Sequence, residues 1–274
     1  MTNALVLGGG GVTGIAWEIG VLCGLRREGI ILGAADTIIG TSAGSVVGTL
    51  LAAGMDLEEA VAQQQVAVPT GARTVDMTPL LAVVAVLTDA SLPPRQARAR
   101  VGAMALAATT GDEDRFVRGI AASLPVQRWP ERDLRITAVD TADGQDVVFD
   151  AAAGVPLTHA VAASCAVPGV LPPVTVDGRR YMDGGVRSGT NADLAAGADR
   201  LVVIAPMAAM ARSRVDAEIR STGAAHSLVI EPDDAALDAF GPNVMDASRR
   251  AESVRAGLRQ GRSLAASVRR VWPG

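Results

Sequence analysis

Blocks of apolar and polar residues along the first third of the chain predict strands and helices in turn. The apolar run at residues 4–7 ends in four glycines, as expected for a buried parallel strand that leads into a tight turn. Apolar residues then recur at helical spacing over 14–27. A second short strand at 37–39 leads through a Gly-rich turn into a helix at 45–53. This order predicts a parallel sheet with helices on both faces.

The pattern changes between residues 56 and 130. Strand signals are missing there, and helical stretches are separated by prolines such as Pro69 and Pro79. We expect a helical insertion, formed either by additional core helices or by a mobile lid. The turn Asp177-Gly178 predicts a hairpin. Further strands are predicted at 134–139, 147–149, 174–176, 179–182, 201–205 and 228–230, followed by a long helix at 243–271. We interpret residues 1–274 as one elaborated α/β domain.

Composition excludes several classes of protein. Of the 274 residues, 49% are hydrophobic and 20% are charged, which argues against disorder. The net charge of −4 and the absence of a basic stripe argue against a nucleic-acid partner. All 25 basic residues are arginine, so lysine chemistry such as a Schiff base is excluded.

Cysteine and histidine are scarce. Cys23 and Cys165 are far apart in the sequence, and His159 and His226 are the only histidines. A disulfide scaffold or a metal centre is therefore not expected, and we expect no cofactor. No signal peptide is apparent, and the longest apolar stretch, at 80–87, is too short to span a bilayer, so we expect a cytoplasmic protein.

The pentapeptide Gly40-Thr41-Ser42-Ala43-Gly44 matches Gly-x-Ser-x-Gly, between a predicted strand and a predicted helix. Glycines on both sides allow a sharp turn that exposes the serine at its tip. The N-terminus of the following helix stabilises negative charge that develops there. This context indicates that Ser42 is a nucleophile rather than part of an ordinary Gly/Ser turn.

The glycine run at residues 8–11 follows the first strand, and its N–H groups can converge on an anion. It satisfies the dinucleotide pattern Gly-x-Gly-x-x-Gly, but that fingerprint also needs an acid near the end of the second strand. Asp36 precedes that strand instead. We prefer the other interpretation, in which the run forms an oxyanion hole facing Ser42.

A serine nucleophile needs a base. Neither His159 nor His226 has a nearby acid in an orienting position, so each is interpreted as an ordinary histidine. The alternative is a carboxylate, and Asp183-Gly184-Gly185 follows the second hairpin strand, where the carboxyl edge of the sheet is expected. Taken alone, without the serine site, this triplet favours a common Asp-Gly turn.

Together, these motifs resemble the patatin-like phospholipases. The glycine run with Gly14, the serine pentapeptide, the segment 163–169 and the Asp-Gly-Gly triplet occur in that family's order and spacing. The similarity extends from about Leu5 to Ile204 and is interrupted by the poorly matched stretch 56–130.

The resemblance implies a three-layer α/β/α fold with a mainly parallel sheet, and a lipid acyl hydrolase with a Ser–Asp dyad. Ser42 would be the nucleophile and Asp183 the base. Gly9, Gly10 and Gly11 would donate to the oxyanion, with Gly40, Gly44, Gly184 and Gly185 as supporting glycines. The implied partners are a lipid or other acyl-ester substrate and, transiently, a membrane surface. The apolar stretch 79–109 is a candidate wall for the acyl chain.

Two positions depart from the family pattern. The Arg or Lys that usually precedes the last glycine of the glycine motif is Thr13 here, which removes a cation that could attract an anionic headgroup. The Asn-x-Pro stretch after the triplet is Asn191-Ala192-Asp193. An acyltransferase and a non-catalytic lipid-binding protein remain as alternatives.

Overall fold

The computed structural model describes residues 1–67 and 75–273, in which eight strands form one sheet. The strand order is β5-β6-β3-β2-β1-β7-β8, with β4 paired to β3. β1, β2, β3, β7 and β8 are mutually parallel, whereas β4, β5 and β6 join through antiparallel pairs. The strands are β1 Asn3–Leu7, β2 Thr37–Gly40, β3 Asp133–Asp140, β4 Asp146–Phe149, β5 Val174–Val176, β6 Arg179–Asp183, β7 Arg200–Ile204 and β8 His226–Ile230.

Alternate residues of the strands point into two separate cores. Leu5 and Leu7 of β1 join the larger core, beneath helices α1, α2, α7, α9 and α10. Ala4 and Val6 join the smaller core, beneath α8 and the short helix Ala192–Ala195. The predicted three-layer α/β/α fold with a mainly parallel sheet is therefore confirmed. The helices are α1 Gly11–Arg27, α2 Ala43–Ala52, α3 Leu57–Gln64, α4 Thr78–Leu87, α5 Pro94–Ala107, α6 Glu113–Ser123, α7 Leu157–Ser164, α8 Arg212–Thr222, α9 Asp234–Phe240 and α10 Arg250–Val271.

The stretch between α2 and β3 forms helices α3 to α6 in its described part, and Pro69 lies outside the described residues. α4 and α5 pack against each other, and their inner side chains form a third core with Val139 of β3 and Met182 of β6. Leu81 on the outer side of α4 is 73% exposed. α4 and α5 thus cover the β3–β6 end of the sheet.

The C-terminal helix begins later than predicted. Residues 243–249 are not part of α10, because Asp246 caps a separate short helix, Ala247–Arg249, by accepting a hydrogen bond from the N–H of Ser248. α10 begins at Arg250. The preceding segment is thereby left to pack against the start of α1, where the carbonyl of Val244 accepts the N–H of Thr13 at 3.0 Å.

Close helix packing between α1 and α10 depends on glycine. A Cβ on Gly24 would lie 2.6 Å from the carbonyl oxygen of Leu258, and one on Gly257 would collide with the carbonyl oxygen of Trp17. Both helices therefore approach each other at backbone distance. The glycines at this crossing are Gly20, Gly24, Gly257 and Gly261.

We expect Gly257→Ala to lower the free energy of unfolding by about 1–3 kcal/mol, because the added methyl group must displace backbone atoms of α1. Gly119→Ala is the matched control in α6, where a Cβ would have no neighbour within 4 Å. It should raise stability by about 0.5–1 kcal/mol through helix propensity. Urea unfolding of both variants measures these changes. A Gly257→Ala variant as stable as the wild type would contradict the close approach of α1 and α10.

Candidate active site

Ser42 occupies the sharp turn between β2 and α2. Its backbone angles, φ 52° and ψ −116°, are rare for a non-glycine residue and cost of the order of 1–3 kcal/mol. A Cβ on Gly40 would lie 2.5 Å from the carbonyl oxygen of Gly44, and one on Gly44 would collide with the carbonyl oxygen of Leu7. Both glycines are therefore needed, and the turn holds Ser42 at the start of α2.

Ser164 also holds this turn, and sequence analysis did not single it out. Its hydroxyl oxygen accepts the N–H of Ser42 at 2.9 Å. On the other side, the carbonyl of Ser42 accepts the Ser45 hydroxyl at 2.7 Å. Ser164 is the last residue of α7 and lies in the segment 163–169 that resembles the family. That location was the only indication in the sequence of a role for Ser164.

Strand register brings Asp183 to Ser42. Gly40 of β2 lies opposite Ile136 of β3, and Asp183 of β6 lies opposite Ala138, two residues further along β3. Ser42 follows β2 and Asp183 ends β6, and these two strands flank β3, so both residues lie beside positions 136–138 of β3.

The carboxyl group of Asp183 is buried, and the residue is only 5% exposed. Burial raises its pKa to about 6, although hydrogen bonds from the Ser42 side chain and from the N–H of Gly185, the latter at 2.7 Å, act in the opposite direction. Burial and the charge of Asp183 raise the pKa of the nearby Cys165 thiol to about 12. The thiol therefore stays neutral, while Asp183 can exchange a proton near neutral pH.

The glycine run lies beside Ser42, since a Cβ on Gly9 would be 3.5 Å from the Ser42 Cβ. The sequence-based expectation that Gly9 faces an oxyanion does not fit its hydrogen bonding, because its N–H donates to the carbonyl of Gly189 at 2.8 Å. Within residues 1–67 and 75–273, no protein group accepts a hydrogen bond from the N–H of Gly10 or Gly11. These two groups are therefore available to a ligand.

Asn191 connects the two halves of the site, although in sequence it was noted only as part of a departure. It is buried and adopts the left-handed conformation, with φ 52° and ψ 37°. Its amide Nδ2 donates to the Thr41 hydroxyl at 3.0 Å and approaches the carbonyl oxygen of Gly184 at 3.4 Å. Thr41 precedes Ser42 and Gly184 follows Asp183, so this amide fixes their relative position.

Neither histidine belongs to this site. His159 lies in α7 with its Nδ1 3.4 Å from the Thr158 hydroxyl, and His226 is exposed at the start of β8. Asp36 precedes β2, at the opposite end of that strand from Gly40, and its carboxylate accepts the N–H of Asn3 at 2.7 Å. Asp36 is therefore not beside the glycine run.

Ser42 borders a cavity of about 660 Å³. The cavity is lined by one side of α2, by α3 and α6, by the start of α1 and by the segment before α10. The interpretation of 79–109 as an acyl-chain wall was wrong, because α4 and α5 contribute no lining residue, and their buried apolar side chains, such as Val83 and Val101, pack against the sheet. The apolar lining side chains include Ile15, Val46, Leu50, Phe116, Ile120, Val167 and Leu171, and the polar ones include Gln63, Gln64, Ser123 and Arg250.

In the described part of the chain, no cluster of three or more His, Cys, Asp or Glu side chains could hold a metal ion. None of the helices described is both long enough and apolar enough to cross a membrane.

The family comparison agrees with this geometry. The family model described as "Patatin-like phospholipase" matches residues 5–196, which include the glycine run, Ser42, Asp183 and Asn191. The chain belongs to the patatin-like phospholipase family. α8, α9 and α10 lie beyond the matched range, so the family match does not cover the part of the cavity formed before and at the start of α10.

Relatives carry the family domain within longer chains. Uncharacterized NTE family proteins of Mycobacterium bovis and Mycobacterium tuberculosis are 33% identical over 202 residues, covering 70% of this chain and 47% of each relative. The chain thus spans about half the length of these curated relatives.

Two solved structures of bacterial proteins align over most of the chain. VipD from Legionella pneumophila has a TM-score of 0.48 at 13% identity, with 97% of this chain and 67% of VipD covered. The type III effector ExoU of Pseudomonas aeruginosa, in complex with SpcU, has a TM-score of 0.38 at 17% identity, with 96% and 52% covered.

Proposed function

We propose that the chain is a serine-dependent lipid acyl hydrolase that cleaves carboxylic esters through an acyl-enzyme. In the first half of the reaction, Asp183 accepts the proton of the Ser42 hydroxyl while the oxygen attacks the ester carbonyl. Collapse of the tetrahedral intermediate breaks the ester C–O bond, and Asp183 returns the proton to the leaving alcohol. In the second half, Asp183 takes a proton from water, which attacks the acyl-enzyme carbonyl. The bond between the acyl carbon and Ser42 Oγ then breaks, Asp183 returns the proton to Ser42, and the fatty acid leaves.

One observation carries this proposal: a strained serine that lines a largely apolar cavity lies within hydrogen-bonding reach of a buried carboxyl group. Aspartate is intrinsically a weak base, and burial makes Asp183 a stronger one by raising its pKa to about 6. Family membership supports the same chemistry without histidine.

Gly10 and Gly11 are the oxyanion donors that we propose. Their N–H groups have no acceptor in the described residues. Gly10 is the N-cap of α1 and Gly11 is its first residue, so the helix N-terminus adds positive potential there. Side chains are not tolerated at either position: a Cβ on Gly10 would lie 2.5 Å from Pro206, and one on Gly11 would lie 2.7 Å from the carbonyl oxygen of Val244.

The apolar part of the cavity supports an acyl chain as the bound group. Ala43, Val46 and Leu50 line it from one side of α2, over about 10 Å at 1.5 Å per residue. Burial of aliphatic carbons along this wall is favourable by about 0.8 kcal/mol per CH₂ group. A medium or long acyl chain is therefore preferred over acetate.

The pH dependence of activity follows from the pKa of Asp183. The base must be ionised, so kcat/KM for a neutral ester should be level above the pKa and fall about tenfold per pH unit below about pH 6. Initial rates with a p-nitrophenyl ester over pH 4–8 measure this dependence.

The pH measurement needs a control, because an ordinary histidine titrates in the same range. His159→Gln and His226→Gln should keep the acidic limb of the profile. Loss of the limb in either variant, or a midpoint near the ordinary aspartate pKa, would contradict the assignment of Asp183 as base.

Turnover of p-nitrophenyl esters by the wild type but not by Ser42→Ala tests the proposed function. Transfer to a non-water acceptor would favour the acyltransferase alternative, and Ser42-independent binding of lipid without turnover would favour the non-catalytic one.

We also propose that the chain forms one catalytic domain, since its described strands share one sheet. Contact with a membrane surface and a cytoplasmic location stay predictions.

A further inference from the structure

Arg250 is the only charged side chain among the described residues that line the Ser42 cavity. It is the first residue of α10 and is half-buried. Its Nε donates to the side-chain oxygen of Gln64 at 3.0 Å, and its Nη2 donates to the carbonyl oxygen of Gln63 at 2.7 Å. The guanidinium is thus held in a fixed position against α3.

Neither of these acceptors carries a charge. No carboxylate among residues 1–67 and 75–273 forms an ion pair with Arg250, and residues 68–74 contain no acidic side chain in the sequence. The neighbouring Arg249 does have an acid, because its Nη1 lies 3.0 Å from Glu252. A partly buried guanidinium that only neutral oxygens contact retains its attraction for an anion.

The same segment of the chain explains why Thr13 cannot perform this task. Thr13 is fully buried, and its hydroxyl lies 3.3 Å from the carbonyl oxygen of Val244, which also accepts its N–H. The segment that covers Thr13 continues through Met245 and Ala247, both of which line the cavity, to Arg250. A cation thus reaches the cavity from the start of α10 and not from the glycine motif.

We propose that Arg250, from a helix outside the matched family range, sets the substrate preference of this site by binding a phosphate group on the acyl-ester substrate, in place of the cation that Thr13 lacks. This assignment rests on the proposed function of Ser42. Nε and one N–H of Nη2 are donated to α3, so Nη1 and the second N–H of Nη2 remain as a pair that matches phosphate oxygens. The N-terminus of α10 adds positive potential at the same place. Gln63, Gln64 and Ser123 complete the polar part of the cavity, while its apolar part takes the acyl chain.

The test compares two substrates with the same acyl chain, one a lysophosphatidylglycerol and the other a neutral monoacylglycerol. The quantity measured is the ratio of kcat/KM for the anionic substrate to that for the neutral one. Arg250→Gln should lower this ratio by about tenfold to a hundredfold, because a charge-assisted hydrogen bond is lost. Arg250→Lys keeps the charge without the paired geometry and should give an intermediate ratio.

Arg255→Gln is the matched control, since Arg255 is exposed on the same helix and does not line the cavity. Its ratio should equal that of the wild type. Inorganic phosphate should inhibit hydrolysis of the neutral ester more weakly in Arg250→Gln than in the wild type. If phosphate inhibits Arg250→Gln more weakly than the wild type but the substrate ratio of the variant is unchanged, the site binds free phosphate. That result would overturn the assignment of Arg250 to a phosphate group on the lipid.

Two failures are distinguishable. If the wild type hydrolyses both substrates through Ser42 but Arg250→Gln and Arg250→Lys keep the wild-type ratio, the role of Arg250 is wrong and the proposed function stands. If the wild type hydrolyses p-nitrophenyl esters but neither lipid, the role of Arg250 is wrong. If it hydrolyses none of the three, the proposed function fails and the assignment of Arg250 falls with it.

Discussion

Asp183→Asn should abolish most of the ester hydrolysis and yet stabilise the fold above neutral pH. Removal of a general base typically lowers the rate by about 10²–10⁴-fold, and asparagine cannot accept the Ser42 proton. Its side-chain oxygen can still accept the N–H of Gly185, the bond that holds Asp183 at 2.7 Å. We therefore expect the local geometry to survive.

The gain in stability follows from the raised pKa of Asp183. Its folded pKa of about 6 exceeds the ordinary value of 3.8, so its contribution to stability is fully present below about pH 4 and is lost as pH rises through 6. The shift corresponds to about 3 kcal/mol, and Asp183→Asn should recover it at pH 8 but not at pH 4. Urea unfolding at both pH values measures this. A variant less stable than the wild type at pH 8 would contradict the burial of a charged carboxylate.

Ser42→Ala should lower kcat/KM for p-nitrophenyl esters by about 10³–10⁶-fold, as removal of a catalytic serine does in other hydrolases. Alanine retains the strained backbone, so its stability should stay near that of the wild type. Ser42→Gly should be equally inactive and more stable by about 1 kcal/mol, because glycine adopts φ 52° without strain. Steady-state hydrolysis and urea unfolding separate the two effects.

The control for this pair is Ser221→Ala, an exposed serine of α8 on the other face of the sheet. It should keep wild-type activity. Substantial turnover by Ser42→Ala and Ser42→Gly would show that the reaction uses another nucleophile.

The parallel sheet and the turn at Ser42 could be predicted because both depend on local sequence. Buried parallel strands are short apolar runs, and a strand-to-helix turn with crowded neighbours needs glycines such as Gly40 and Gly44. The assignment of Asp183 rested instead on family resemblance, since an Asp-Gly-Gly triplet alone is typical of a turn.

Other features depend on contacts between distant parts of the chain and could not be predicted. The acceptor of the Gly9 N–H is Gly189, which strand pairing brings close although it is far away in sequence. Asn191 and Ser164 are recognised as positioning residues only once their hydrogen bonds to Thr41 and Ser42 are seen.

The location of the cavity also could not be predicted from the sequence. Apolar composition at 79–109 is equally compatible with a cavity wall and with core packing, and the structure shows packing against β3 and β6. The cavity is instead lined by α2, α3, α6 and the start of α10, and the glycine-mediated packing of α10 on α1 is a contact between distant parts of the chain.

Covalent labelling with a fluorophosphonate tests the central claim most directly, since the probe phosphonylates only an activated serine. We expect intact mass spectrometry to show one adduct on the wild type, peptide mapping to place it on Ser42, and Ser42→Ala to show none. Asp183→Asn should label much more slowly, because it lacks the base. An adduct that persists in Ser42→Ala, or a wild type that forms none, would contradict the assignment of Ser42 as the nucleophile.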